Sequence, residues 1–371
     1  MFLSALKLTN FRNYAYQSVA FSPKLNLVTG LNGMGKTNLL DAVYYICMGK
    51  SHFSGTDRNV VKQGEEFFRL ESHFSLKGKT EKIVAKVVPG KQKTFERNDN
   101  AYPRISDHVG LLPVVFMAPD DTVLALEGSE ERRRFMDNTL CQLDHRYLDE
   151  LLVYNKVLQN RNALLKQFGE RGGYNPTLLA AYDQQLSPPG AYILEKRKQF
   201  AEQFQPLFLE YYQQICDGAE TVKCHYRSQL LENDFAALLV ETAEKDRLLQ
   251  RTTAGIHKDD LQFYMNDLPL KRFASQGQLK SFVLCLKLAQ YDLLKKEKKV
   301  APILILDDLF DKLDDLRVAY LMGLLAGENF GQVFISDTHP ERAEEIAKNF
   351  AGHYKKFIIA HAEAEEMRGE T

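Results

Sequence analysis

Residues 30–37 read Gly-Leu-Asn-Gly-Met-Gly-Lys-Thr, and no other stretch restricts the fold as tightly. A short apolar run (Leu25, Leu27, Val28) precedes them, and Asn38 to Tyr44 follows with amphipathic spacing. Strand, glycine loop and helix in this order is the context a phosphate-binding loop requires. Gly30, Gly33 and Gly35 let the backbone curl so that successive N–H groups, those of Leu31, Asn32 and Met34 included, point inward at phosphate oxygens. Lys36 reaches the β- and γ-phosphates, the Thr37 hydroxyl is placed to ligate Mg²⁺, and the helix dipole adds to the anion site. The chain is therefore expected to be an α/β protein built on a nucleotide-binding parallel sheet.

At 371 residues there is room for roughly two domains. The net charge is −1, so a nucleic-acid site has to be a local basic patch. Five cysteines are scattered without metal-ligand spacing and read as buried thiols of a cytoplasmic protein. No apolar run approaches the ~20 residues that span a membrane, and the alternating N-terminus reads as a strand and not a signal peptide.

Residues 2 to 9 alternate, Asn10 to Tyr14 form a turn, and a second strand runs to Phe21. Arg12 lies a hairpin's length before the glycine loop and is a candidate phosphate contact; a solvated turn arginine is the plain alternative. Three β-rich stretches, 67–76, 82–88 and 93–97, suggest a small antiparallel sheet. Lys77, Lys79, Lys82, Lys91 and Lys93 make it locally basic, hence a candidate DNA face. From Glu130 to Lys166 the period is helical, with Arg132, Arg133 and Arg134 in the first turns as further DNA candidates. Breaks are expected at 169–176 and at Pro188-Pro189-Gly190, with a helix resuming at Ala191 and kinked at Pro206. A strand at 222–226, a helix at 234–249 and a hairpin pairing 261–265 with 269–273 follow. Buried strands at 302–306 and 332–335 return the chain to α/β character. The expected division is 1–125 and 251–371 for the nucleotide domain, with a helical lobe at 126–250.

Two further signals bear on the glycine loop. Ile303 to Leu306 runs into Asp307 and Asp308, which suits a buried strand delivering carboxylates to a Mg²⁺-phosphate site. Asp307 would hold the metal and Asp308 would orient or deprotonate the attacking water. Ser275-Gln276-Gly277-Gln278 stands at a helix start, a second anion site made of free N–H groups and a hydroxyl. One site has no use for two phosphate cradles, so the economical arrangement is a dimer in which this loop caps the nucleotide held by the other copy.

The glycine loop, Ser-x-Gly-Gln before a helix, the Asp-Asp strand and the turn Phe310 to Asp314 together resemble the ABC-type ATPases. Within them the chain is similar to the RecF family of SMC-head relatives. LTNFRNY (Leu8 to Tyr14), KSHF (Lys50 to Phe53), MAPDD (Met117 to Asp121), EGSEERRRFMD (Glu127 to Asp137), GIHKDDLQF (Gly255 to Phe263) and QVFISDTHPE (Gln332 to Glu341) carry the likeness in order along the whole chain. It implies an ABC-type ATPase head, with a mixed sheet, a small antiparallel sheet and a helical lobe. The implied activity is a weak, DNA-dependent ATPase using ATP and Mg²⁺. It would act as an ATP-dependent homodimer on gapped DNA in repair, replication restart and the SOS response, loading RecA with RecO and RecR. By resemblance Ser275 to Gln278 are the trans signature, Asp314 lies in the dimer loop, and His339 is the candidate γ-phosphate-sensing histidine, an exposed turn histidine being the plain alternative. Lys258 replaces the arginine of the family's GPHRDD pattern, and no glutamine stands in 111–121 as a Mg²⁺-side ligand. A membrane-transporter ATPase subunit shares these motifs, but such subunits lack a long aromatic-rich helical region. A small-molecule kinase would leave Ser275 to Gln278 unexplained.

Overall fold

The structure, a computed structural model, describes residues 1–371 except Gly172, 217–219, 311–314, 328, 349, 351–352 and 368–371. The chain divides into two compact units, Met1–Thr122 with Gln276–Thr371, and Val123–Ser275. Residues 251–275 thus pack with the helical unit, whereas the sequence reading put them with the nucleotide domain: Asp260–Met265 pairs with Val222–Arg227 and takes them there.

The first unit holds two six-stranded sheets. One runs Tyr14–Ala20, Phe2–Phe11, Phe68–Leu76, Lys79–Val88, Gln92–Arg97, Asn100–Ala101, all antiparallel. The expected small sheet is therefore larger than its three predicted strands, because the N-terminal hairpin pairs onto its edge. The other sheet runs Glu363–Met367, Tyr354–Ala360, Leu25–Thr29, Val333–Asp337, Ile303–Leu306, Val114–Met117. Its strands are parallel except Glu363–Met367.

Helix Lys36–Met48 follows the glycine loop, and every residue from Leu39 to Met48 is buried. A helix apolar all round belongs between two layers. Its side chains share one core with Leu8, Phe11, Phe68 and Phe95 of the antiparallel sheet and Val114, Phe116 and Phe334 of the parallel one. Asp41 is the single acid in that buried run.

In the second unit, helices His145–Arg171 and Pro176–Ile215 pack together, with Ser129–Leu143 and a three-stranded antiparallel sheet alongside. Phe200, Phe204 and Phe208 stack along one face. Several expectations fail here. The predicted Glu130–Lys166 helix is two, divided at Asp144, whose carboxylate accepts from the Tyr147 N–H and starts the second. The helix predicted at 234–249 divides at Thr242. The stretch 269–273 is mostly a helical turn, Leu270–Phe273, and not a strand. Pro188-Pro189-Gly190 does not break its helix, and Pro206 lies inside it too. An interior proline costs about 3 kcal/mol or more, so packing has to offset it. Leu186, Pro189, Gly190 and Ile193 are all buried, and a Cβ on Gly190 would come within 2.5 Å of the Phe235 ring. The Pro-Pro-Gly run is a close-packing face, not a stop.

Among the described residues no helix is long and apolar enough to cross a membrane.

Candidate nucleotide site

Strand Leu25–Thr29 is wholly buried and releases the chain into the glycine loop at its C-terminal end. Gly30 has φ 144°, with a neighbouring strand backbone (Ile359 C at 3.3 Å, N at 3.4 Å) where a Cβ would stand. Gly35 has φ 118°, and a Cβ there would meet Asn13 Nδ2 at 2.8 Å and Tyr14 Oη at 3.1 Å. Both positions demand glycine for conformation and for space. The loop is also pinned from the N-terminal hairpin: the Tyr14 hydroxyl donates to Gly35 O and Asn13 Nδ2 to Met34 O.

Lys36 is buried and bends back over the loop, donating to Gly30 O at 2.9 Å and lying 3.4 Å from Leu31 O and from Asn32 Oδ1. Its Nζ is also 3.9 Å from Asp308 Oδ1. Sheet order explains this approach. The Asp-Asp strand and the glycine-loop strand are separated only by Val333–Asp337, so all three C-terminal ends share one edge. Asp307 is buried and accepts hydrogen bonds from Ser336 Oγ at 2.6 Å and from the Thr37 side chain. Burial pushes its carboxyl up to about 6, with Asp308 adding to the rise and the two hydroxyls and Lys36 opposing it. A divalent cation there would restore the ionised form. Thr37 and Asp307 offer two hard oxygen donors beside the phosphate cradle, the sparse protein set that Mg²⁺ uses when phosphates and water complete its shell. Asp308 has φ 42°, a left-handed conformation costing a non-glycine residue roughly 1–3 kcal/mol. Its N–H donates to Ser336 Oγ at 2.8 Å.

Arg12 is not a solvated turn residue. Its guanidinium donates twice to Asp41 Oδ2, at 3.0 and 2.7 Å, and to Ser51 Oγ at 2.9 Å. Asp41 is fully buried and also accepts from Ser51 Oγ and the His52 N–H. This carboxylate ties the glycine-loop helix to the N-terminal turn and to the Lys50–Phe53 stretch. His52 in turn stacks on Phe116 with centroids 4.3 Å apart, and its pKa falls to about 4, chiefly by burial. His339 is exposed, its N–H donates to Asp337 Oδ1, and its Nδ1 lies 3.1 Å from Thr338 Oγ1 and 3.2 Å from an Arg342 nitrogen. It follows Asp337, which stands opposite Thr29, and so sits at the glycine-loop edge.

Gln276, Gly277 and Gln278 open helix Gln276–Lys298, and Ser275 immediately before it is exposed. The helix runs antiparallel to the sheet strands. Lys287 Nζ reaches Phe116 O and Asp121 at their C-terminal end, while the Tyr291 hydroxyl accepts from the Gly331 N–H at the other. From Lys287 back to Gln276 the helix rises ~16 Å beyond that edge at ~1.5 Å per residue. The strand it packs on stands three places from the glycine-loop strand, a lateral step of ~14 Å at ~4.8 Å per strand. Gln276 to Gln278 are thus well separated from the Lys36 of their own chain. Asp314 lies outside the described residues.

The lysine candidates of the first unit do not form one basic surface. Lys82 pairs with Asp99 and Lys93 with Asp57. Lys77 and Lys79 flank one hairpin turn and Lys91 the other, at opposite ends of strand Lys79–Val88, ~30 Å apart. Arg132 is bound bidentately by Asp260, Arg133 donates to Ser129 Oγ and Asp259 O, and Arg134 pairs with Glu130 and Glu131.

Sequence reasoning missed Ser336 and Asp41. Asp41 was detectable as a lone acid in an apolar helical run, which requires a buried partner. Ser336 needed the strand order.

The family model "RecF/RecN/SMC N terminal domain" matches residues 2–357. A protein of Flavobacterium johnsoniae named DNA replication and repair protein RecF is 46% identical over 359 residues, covering 97% of this chain and 100% of that one. The solved structure of the recombination mediator protein RecF-ATP in the RecFOR pathway is 28% identical, with a TM-score of 0.88 over 99% of this chain and 98% of its own. The Smc head domain of Pyrococcus furiosus shares the fold alone, at 15% identity and a TM-score of 0.55 over 99% of this chain and 96% of its own. The glycine loop, the Asp307–Asp308 edge and these likenesses agree: the chain belongs to the RecF family of SMC/ABC-type ATPase heads.

Proposed function

We propose that this protein is an ATP-dependent DNA-binding protein of recombinational repair that closes as a homodimer around two ATP molecules. The carrying observation is the separation of Gln276–Gln278 from the chain's own Lys36, which leaves the second phosphate cradle for a nucleotide held by another copy. Lys36 and the loop N–H groups balance phosphate charge, while Thr37 and Asp307 would hold Mg²⁺. That ion, when bound, neutralises charge on the β- and γ-oxygens. Asp308 is placed beside Lys36 to orient the attacking water. Ser275 to Gln278 of the second copy close over the γ-phosphate, and Asp314 and His339 belong to the same interface. Slow hydrolysis then releases the dimer. The substrate class is gapped DNA in the cytoplasm, with RecO and RecR as partners in placing RecA and in replication restart and the SOS response. Among the earlier lysine candidates, Lys77, Lys79 and Lys91, at the two hairpin turns, would each contribute a phosphate contact.

Analytical ultracentrifugation with gapped or duplex DNA tests this reading. A non-hydrolysable ATP analogue should convert monomer to dimer and favour the gapped substrate. Ser275→Arg should retain nucleotide binding and lose both dimerisation and turnover. A wild-type protein that stays monomeric with analogue and DNA present would falsify the dimer.

A further inference from the structure

We propose that Ser336 is a positioning residue for both carboxylates, setting Asp307 toward the metal and fixing Asp308 for the attack. The inference rests on the roles given above to Thr37, Asp307 and Asp308. Ser336 is fully buried in the strand between the glycine-loop strand and the Asp-Asp strand. Because Leu306 pairs with Ile335, Ser336 stands abreast of Asp307, and on its other side it pairs with Val28, two residues before Gly30. Its hydroxyl has one proton and two lone pairs. The proton goes to Asp307 Oδ1 at 2.6 Å, and a lone pair takes the Asp308 N–H at 2.8 Å. With its proton committed to Asp307, the hydroxyl has none for Asp308 Oδ1 at 3.5 Å. The Asp308 carboxylate is left turned toward Lys36.

One oxygen therefore does two jobs. It restrains rotation of the Asp307 carboxylate, and it holds the backbone at the left-handed φ of 42° that sends the next carboxylate in its own direction. Neighbouring carboxylates on one strand end would otherwise project by ordinary strand alternation. The hydroxyl, donating to one and accepting from the backbone of the other, makes one a metal ligand and the other a water-orienting base. An alanine or cysteine at 336 fits the strand but supplies no comparable donor.

The test measures a fluorescent ATP analogue binding to the full chain, in EDTA and across a Mg²⁺ titration, alongside steady-state turnover. Ser336→Ala should bind nucleotide in EDTA within about 2-fold of wild type, need roughly 10-fold more Mg²⁺ for half of its effect, and lose about 10- to 100-fold in kcat with little change in KM. Ser336→Thr, which keeps the hydroxyl, should restore most of both. Should the alanine variant not fold, Ser336→Cys preserves volume and is read the same way. Wild-type Mg²⁺ dependence and kcat in the folded alanine or cysteine variant overturns the inference. Lys36→Ala serves as the parallel control. If it binds nucleotide normally, the site reading itself fails; if it loses binding while Ser336→Ala is normal, only the positioning role fails.

Discussion

Gly30→Ala and Gly33→Ala make a matched pair, because the two glycines of one loop are needed for different reasons. Gly33 has φ 80° and nothing within 4 Å of a would-be Cβ, so alanine there meets backbone strain alone, about 1–2 kcal/mol. Gly30 has φ 144°, a region that is essentially glycine-only and costs another residue roughly 1–3 kcal/mol. Its Cβ would also sit well inside contact distance of the Ile359 carbonyl oxygen. Relief requires a shift of about 1 Å by one backbone or the other. The Ile359 strand cannot give easily, since Tyr354–Ala360 is paired on both sides, Ile358 standing opposite Thr29 and opposite Glu365. The total is about 3–5 kcal/mol for Gly30→Ala, some 2–3 kcal/mol beyond Gly33→Ala. Near the transition that gap corresponds to roughly 5–10 °C. Thermal unfolding by circular dichroism, without nucleotide, reads it directly. Equal losses of Tm in the two variants would refute the argument that the neighbouring strand, and not φ alone, excludes a side chain at 30.

Two further outcomes follow from buried charge. Arg197 is almost fully buried, donates to Asp137, Asp259 and the Tyr147 hydroxyl, and caps Ile256 O. Arg197→Met leaves two carboxylates unbalanced and should cost about 3–5 kcal/mol in urea unfolding, followed by circular dichroism or tyrosine fluorescence, as the chain has no tryptophan; a loss below ~1 kcal/mol contradicts it. Burial lowers His108 to about 4 from an ordinary 6.5, and its ring nitrogen bonds Ile46 O at 2.7 Å. The folded state thus takes up this proton less readily than the unfolded chain. Its contribution is complete above pH ~6.5 and is lost as pH falls toward 4, about 2 kcal/mol by pH 5. His108→Gln, which keeps a donor for Ile46 O, should lose about 4–8 °C less in Tm than wild type between pH 7 and 5; parallel pH profiles would rule it out.

The nucleotide half of the site was readable because its demands are local. A glycine loop states its own backbone conformation and an apolar run ending in Asp307-Asp308 states a buried strand, whereas the helix after the loop, expected to be amphipathic over Asn38 to Tyr44, is buried on every side from Leu39 to Met48. Misreadings arose where long-range packing overrides a local rule. Pro188-Pro189-Gly190 is a stop signal by propensity, yet it lies inside a helix because Phe235 fills the notch it leaves. Arg132 to Arg134 look like a phosphate-binding run until Asp259 and Asp260, far along the chain, come back to bind two of them. The lysines of the antiparallel sheet look like one face until the register sends them to opposite ends.

By itself, then, the sequence determined that a phosphate cradle would stand between a strand and a helix, with Lys36 at its end and two carboxylates on a second, buried strand. Those are properties of residues close together in the chain, set by backbone geometry and burial. Only the tertiary structure decided that Val333–Asp337 lies between the two strands, which places Ser336 against both carboxylates. It alone made Arg12, read as a candidate phosphate contact or a solvated turn arginine, the partner of Asp41, and carried Gln276 away from Lys36. Strand order and register are sums over many distant pairings, so no short window of residues contains them.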